Sequence, residues 1–509
     1  MRVFSSPIVL EIIERVKPVW ALTYCIELLN WDRQTYMPSA GSEARAIVMS
    51  ELAKIRRKFV LDETLITLVE KAKDKLDELN DYEKGVVRVV DRAIRIARAL
   101  PEELIARFAK ITSEANTVWV QAKRSGRFDI FRPYLEQIVE LVREKAERLG
   151  YEKHPYNALI DLFDEGITID LVDKVFEVLI PETRRILSRV LSDGFYPQRH
   201  ELEKVSYSVE NARKLMGEVL ELLGWDWSRG RIDESPHPFT VGLDINDVRI
   251  TTRYEGYDIR RALYSTIHEY GHALYHLQID PEIARTPLVD VTSMGLHESQ
   301  SRFWENIVGK SITFVKMLKP LIAKYVAEFS RIDVVELYRY VNIVRPDLIR
   351  VDADELTYNL HIYLRYEIEK KMVEGSLRVS ELPSVWNDYM DKLLGIRPRS
   401  DAEGVLQDVH WSLGYIGYFP SYTLGNVIAA QLASTISKNF EELLDLASDP
   451  KGLNTLRSWL RENIHRWGAT YEPRKLVKRV TGSDIDSTHL VKYLEFKFLK
   501  LPNKIHEYV

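Results

Sequence analysis

The chain has 509 residues, of which 45% are hydrophobic and 29% charged, with a formal net charge of −5 at pH 7. That is the balance of a globular protein with a large core, and it carries no electrostatic footprint for nucleic acid. The single cysteine, Cys25, excludes an internal disulfide.

In chain order, the opening MRVFSSPIVLEIIERVKPVW looks apolar, but Glu11, Glu14 and Arg15 interrupt it at helical spacing. It reads as an amphipathic helix, not a signal sequence. No later run approaches the roughly 18 apolar residues of a membrane span. These bounds predict a soluble, cytoplasmic protein with neither nucleic acid nor membrane as partner. The high charge and near-absence of cysteine lean towards a thermophile. In WDRQTYMP, Trp31 and Asp32 read as structural or groove-lining residues. Helical periodicity then dominates, as in DYEKGVVRVVDRAIRIARALPEELIARFAKITSEANTVWVQAKR, YLEQIVELVREKAERLG and DLVDKVFEVLIPETRRILSRVLSDG. Pro and Gly fall between these stretches, where helices stop. No fixed-period repeat is visible. The predicted class is mainly α, a single domain over 1–509, softly divided into a helical half or lid at 1–230 and a second half at 231–509 that carries the motifs below.

One region breaks the pattern. Val248, Ile250, Thr252 and Tyr254 alternate with polar neighbours, the period of a strand. Phe239 to Leu243 is its predicted partner, with a turn at Asp244 to Asp247. This hairpin directly precedes HEYGH at 268–272, and a strand edge there can hold an extended peptide through main-chain hydrogen bonds.

On a helix, residues four apart rotate by about 40° and rise about 6 Å, so His268 and His272 leave one face. Both imidazoles then reach one Zn²⁺ at about 2.1 Å, and Glu269 lies where it accepts a proton from the metal's water. Asp258 is the predicted N-cap, and Pro281 follows the helix end. His276 is excluded as third ligand, because about 12 Å of helix separates it from His268. The metzincin extension fails, since its Gly and His positions hold Tyr275 and Gln278. The third ligand must come from another element. A second helix beginning near Ser293 offers Glu298 one turn in, with Phe303, Trp304 and Ile307 as core contacts. His297 is the rival, turned about 100° away. Two His and a Glu on the following helix form the gluzincin arrangement.

With these residues in view, the chain resembles the carboxypeptidase Taq family of metallocarboxypeptidases over essentially its full length. The matching stretches are HPF (237–239), DVRITT (247–252), HEYGH, HESQ (297–300), IRVDAD (349–354) and GVLQDVHW (404–411), with WDRQTYMP and GYFPSYTLG besides. The resemblance implies a large helical, gluzincin-like fold with a deep groove, a homodimer, and action on peptides with a free C-terminus. It implies His268, His272 and Glu298 as ligands to one Zn²⁺ (or Co²⁺) per chain, and Glu269 as general base. It adds Arg350 as contact for the substrate's C-terminal carboxylate, His410 and Tyr422 near the scissile carbonyl, and His237 in the cleft. Which of Tyr415, Tyr418 and Tyr422 acts stays open. Structural readings stand beside each: Arg350 paired with Asp352 or Asp354, His410 in the core, Tyr422 in packing, His237 fixing a turn. The expected reaction is removal of C-terminal amino acids, with a metal-bound water as nucleophile. The alternatives are a zinc oligopeptidase cutting internal bonds and a non-catalytic, peptide-binding helical protein.

Overall fold

A computed structural model describes residues 3–509, and they form a mainly helical molecule with one small sheet. The first helix, Pro7–Thr35, starts with Pro at its first turn and buries Val9, Ile12 and Val16. Its charged residues interrupt the apolar face as the spacing requires. Among the described residues, no helix is long and apolar enough to cross a membrane. One hydrophobic cluster runs from Val9 to Ile505 and draws on both sides of position 230.

The sheet has the order β1-β3-β2, with β1 at Gly230–Glu234, β2 at Thr240–Asp244 and β3 at Asp247–Thr252. Strands β2 and β3 form the expected antiparallel hairpin, and Val248 and Ile250 turn fully inward. Two expectations need correction. Tyr254 lies beyond the strand, and a third strand, β1, runs parallel to β3. In GRIDE only Asp233 is buried, so β1 shows no apolar alternation from which to read it. Central β3 leaves β2 as a sheet edge.

The helix Arg260–Leu277 carries HEYGH, and it packs against β2 and β3. Asp258 does not cap it. Ile259 occupies the N-cap position, while Asp258 has a left-handed φ of +48° and its carboxylate accepts from Arg260 and Tyr340. That buried ion pair outcompetes a free cap. The next helix, Met294–Arg302, begins as expected, with Ser293 Oγ accepting from the Leu296 N–H. It runs on into a π-helical turn, Phe303–Gly309, in which Phe303, Trp304 and Ile307 are buried.

Two glycines let these elements close in. A Cβ on Gly271 would stand 2.5 Å from the Gln300 carbonyl oxygen. The helix Phe419–Ile436 crosses the other side, where a Cβ on Gly425 would stand 2.5 Å from Glu298 Cγ. The Met294–Arg302 helix is thus held close from both flanks, by main chain at Gly271 and against the Glu298 side chain at Gly425. The buried helix Tyr358–Glu374 packs against the Phe419–Ile436 helix.

Candidate metal centre

His268 and His272 leave one face of their helix, and their Nε2 atoms stand 3.2 Å apart. Glu298 Oε2 completes a triangle, 3.3 Å from His272 Nε2 and 3.7 Å from His268 Nε2. Bonds of about 2.1 Å in a tetrahedron set their ends about 3.4 Å apart, so two nitrogens and an oxygen at these spacings suit a zinc-sized cation. This is the metal-capable group of His, Cys, Asp and Glu found among the described residues.

Each donor is fixed from behind. His268 Nδ1 is 2.9 Å from Glu305 Oε2; donating there, it turns the Nε2 lone pair to the centre. Glu305 is in turn held by Lys310 at 2.9 Å and Arg302 at 3.3 Å. Arg302 Nε donates to Glu298 Oε1 at 2.6 Å, leaving Oε2 towards the histidines. Burial alone would raise the Glu298 carboxyl, but Arg302 and the imidazoles outweigh it and hold it well below the usual carboxylate range. Burial pushes His268 down, yet Glu298 and Glu305 prevail and raise it, so a cation binding there replaces a proton.

His297 does not turn away from the centre. Its ring packs on His272, centroids 4.1 Å apart, with His276 on its other side at 5.2 Å. It is a packing partner of His272 and stands outside the triad.

Glu269 is buried, and its Oε2 accepts from Thr240 Oγ1 of β2 at 2.7 Å. Among the described residues none donates to its Oε1. The triad and Glu269 open into a cavity of about 700 Å³, walled by Val16, Trp20 and Tyr24 of the first helix, by β2, and by Tyr418 and Tyr422.

Tyr422 lines this cavity and its hydroxyl lies 3.1 Å from His410 Nε2. Burial first, then Arg350, pushes the His410 imidazole down to about 3, so it is neutral. Its Nδ1 is buried without a partner. A bare lone pair is cheaper to leave unpaired there than an N–H. The favoured tautomer is therefore Nε2–H, which donates to the Tyr422 oxygen and frees the phenol proton. Tyr418 also lines the cavity, whereas Tyr415 is half exposed.

Arg350 is buried and pairs with neither Asp352 nor Asp354. Its Nε and Nη2 donate to Asp408 Oδ1 at 2.9 and 2.7 Å, and its Nη1 to the Tyr358 hydroxyl at 2.9 Å. Asp352 pairs with Arg261, and Asp354 accepts from the Thr357 N–H. Arg350 stands behind the cavity wall, its guanidinium carbon 5.1 Å from the Tyr422 ring. His237 is exposed, and its carbonyl accepts from Ser235 Oγ, which braces the turn before Pro238 and Phe239 in the cavity wall. Trp31 is buried under Arg249, and Asp32 is paired with Arg45, as structural residues.

Sequence reading missed Thr240, Glu305 and Asp408. Glu305 had a signal: an acid inside the buried run FWENIVG, about two turns beyond Glu298.

Residues 11–498 match the family model described as carboxypeptidase Taq (M32) metallopeptidase. Thermostable carboxypeptidase 1 of Pyrococcus furiosus is 44% identical over 502 residues, covering 98% of this chain and 99% of the relative. Carboxypeptidase 1 of Bacillus subtilis is 36% identical over 492 residues, covering 96% and 98%. A solved structure of Pyrococcus furiosus carboxypeptidase, apo-Mg, superposes with a TM-score of 0.95 at 43% identity, covering 98% of this chain and 100% of that one. The M32 carboxypeptidase from Deinococcus radiodurans R1 gives 0.93 at 34% identity, with 98% and 100% covered.

Proposed function

The chain belongs to the carboxypeptidase Taq (M32) metallopeptidase family and is a metallocarboxypeptidase; on that premise we propose that it is a zinc enzyme whose ion is held by His268, His272 and Glu298. The internal-cleavage and non-catalytic readings of the sequence give way to this one. One observation carries it: three donor atoms at tetrahedral spacing stand beside a buried carboxylate that makes no ion pair among the described residues.

When bound, the ion supplies Lewis acidity, activating a water and polarising the scissile carbonyl. Glu269 is the general base. Thr240 occupies its Oε2, so Oε1 takes the proton from the attacking water and passes it to the leaving amine. Tyr422, its oxygen engaged by His410, donates its phenol proton to the developing oxyanion. Arg350, held by Asp408 behind Tyr422, supplies the positive charge that draws the substrate's terminal carboxylate to this wall of the cavity. His237 is exposed and directly precedes Pro238 and Phe239 of the cavity wall, without lining the cavity itself. The working protein is a cytoplasmic homodimer with one ion per chain, and cobalt substitutes for zinc, since both accept N and O donors.

The test is a metal analysis of the purified protein, joined to an assay on peptides differing only in a free or amidated C-terminus. One equivalent of zinc, loss of turnover on chelation, recovery with Zn²⁺ or Co²⁺ and strong preference for the free terminus are expected. Undiminished cleavage with a chelator, or of the amidated peptide, would overturn the proposal.

A further inference from the structure

Arg365, on the helix Tyr358–Glu374, is fully buried and lies outside every motif considered so far. It shares Asp408 with Arg350. Arg350 takes Oδ1, while Arg365 Nε donates to Oδ2 at 2.6 Å. Gln407 ties the two further, its Oε1 accepting from Arg365 Nη2 at 2.7 Å and from the Arg350 N–H at 2.8 Å. Burial would raise the Asp408 carboxyl, but the two guanidiniums outweigh it and hold it ionised.

The cluster therefore places two permanent positive charges on one carboxylate. Its other titratable members do not restore the balance. His410 is neutral, and burial followed by Arg365 keeps the His361 imidazole neutral too. Tyr358 and Tyr422 are phenols. Glu369, a further acid on the Arg365 helix, spends its oxygens on Trp411, Tyr156 and Gly417, and burial pushes its carboxyl up to about 7. Lys123, whose Nζ donates to the Gln407 carbonyl at 2.7 Å, adds to the excess, and below that pH the cluster holds a net positive charge. Burying such an excess is costly unless an anion meets it. A neutral pair of Arg350 with Asp408 alone would offer a substrate carboxylate little.

We propose that Arg365 is a positioning residue for substrate recognition: by taking half of Asp408 it leaves Arg350 with unneutralised charge, facing the terminal carboxylate of the peptide across Tyr422. This rests on Arg350 as the carboxylate clamp, and goes beyond it by making the recognition site a pair of guanidiniums on a shared acid.

The experiment compares Arg365→Gln, Arg365→Lys and Arg350→Ala in the zinc-loaded enzyme, below pH 7, on a peptide with a free C-terminus. KM and kcat are read separately. Loss of a charge at this range predicts a KM raised roughly ten- to thirtyfold in Arg365→Gln, with kcat changed by much less. Arg365→Lys keeps the charge and loses the fork, so its KM stays within about threefold of the parent. If both Arg365 variants lose kcat and KM alike, Arg365 is a structural brace and the proposal falls. If Arg350→Ala raises KM while Arg365→Gln does not, the clamp stands and the proposal falls. If Arg350→Ala leaves KM unchanged, the clamp itself is wrong. Should Arg365→Gln fail to fold, Arg365→Lys decides: a rise as large as that of Arg350→Ala refutes the charge role.

Discussion

At the scale of single residues, chemistry depends on which oxygen of each acid is left free. Glu269 keeps Oε1 open because Thr240 occupies Oε2. Glu269→Gln should retain the metal and lower kcat by about 10²–10⁴, the range of a lost general base; a near-normal kcat at full metal occupancy would remove it from that role. Glu305 acts one shell out, fixing the His268 ring through Nδ1. Glu305→Gln should weaken zinc binding about 10–100-fold in a chelator competition, and unchanged affinity would mean that Lys310 and Arg302 are its only purpose. The shared face of His268 and His272 was legible because a four-residue step on a helix is a geometric statement in itself. Asp408 was not, since it meets Arg350 across 58 positions of sequence. Long-range ion pairs leave no periodic trace. The same blindness led to Asp352 and Asp354 as partners for Arg350, acids that were near in sequence and engaged elsewhere.

At the scale of elements, helix starts and the hairpin were readable from local chemistry, as Ser293 before HESQ and the alternation of β3 illustrate. Strand β1 was hidden, because its pairing with β3 and not its own side chains makes it a strand. What no pattern disclosed was how closely the helices approach. Gly271 meets the backbone at Gln300 and Ser301, which cannot yield as a flexible side chain would. Gly271→Ala should therefore destabilise the protein by about 1–3 kcal/mol and weaken metal binding, because it displaces the Glu298 helix from the histidines. Calorimetry and metal titration check both effects; a variant with parental melting and affinity would show that the contact has slack.

At the scale of the whole molecule, one core joins the first helix to the last residues, so the site is anchored from distant parts of the chain. An ion bound only by the native state adds stability. Stripping the metal should lower Tm, and restoring Zn²⁺ should return it; equal Tm values would mean that the native state binds no ion at the concentration used. The pH response has a sign. Burial raises Glu369 to about 7, so between its unfolded value and pH 7 the native protein holds a proton that the unfolded chain has released. Stability from this group is complete at low pH and declines as pH rises towards 7, by about 3 kcal/mol. Glu369→Gln should shrink the fall in Tm between about pH 5 and pH 8, and an identical fall would assign that titration elsewhere.

The two glycines that flank the Met294–Arg302 helix carry a last consequence. At Gly271 main chain meets main chain, and at Gly425 main chain meets the Cβ and Cγ of Glu298, so the spacing of the three donor atoms has little freedom to widen. A wider cation such as calcium, which asks for longer bonds to more oxygen donors, would meet that resistance at both flanks of the helix.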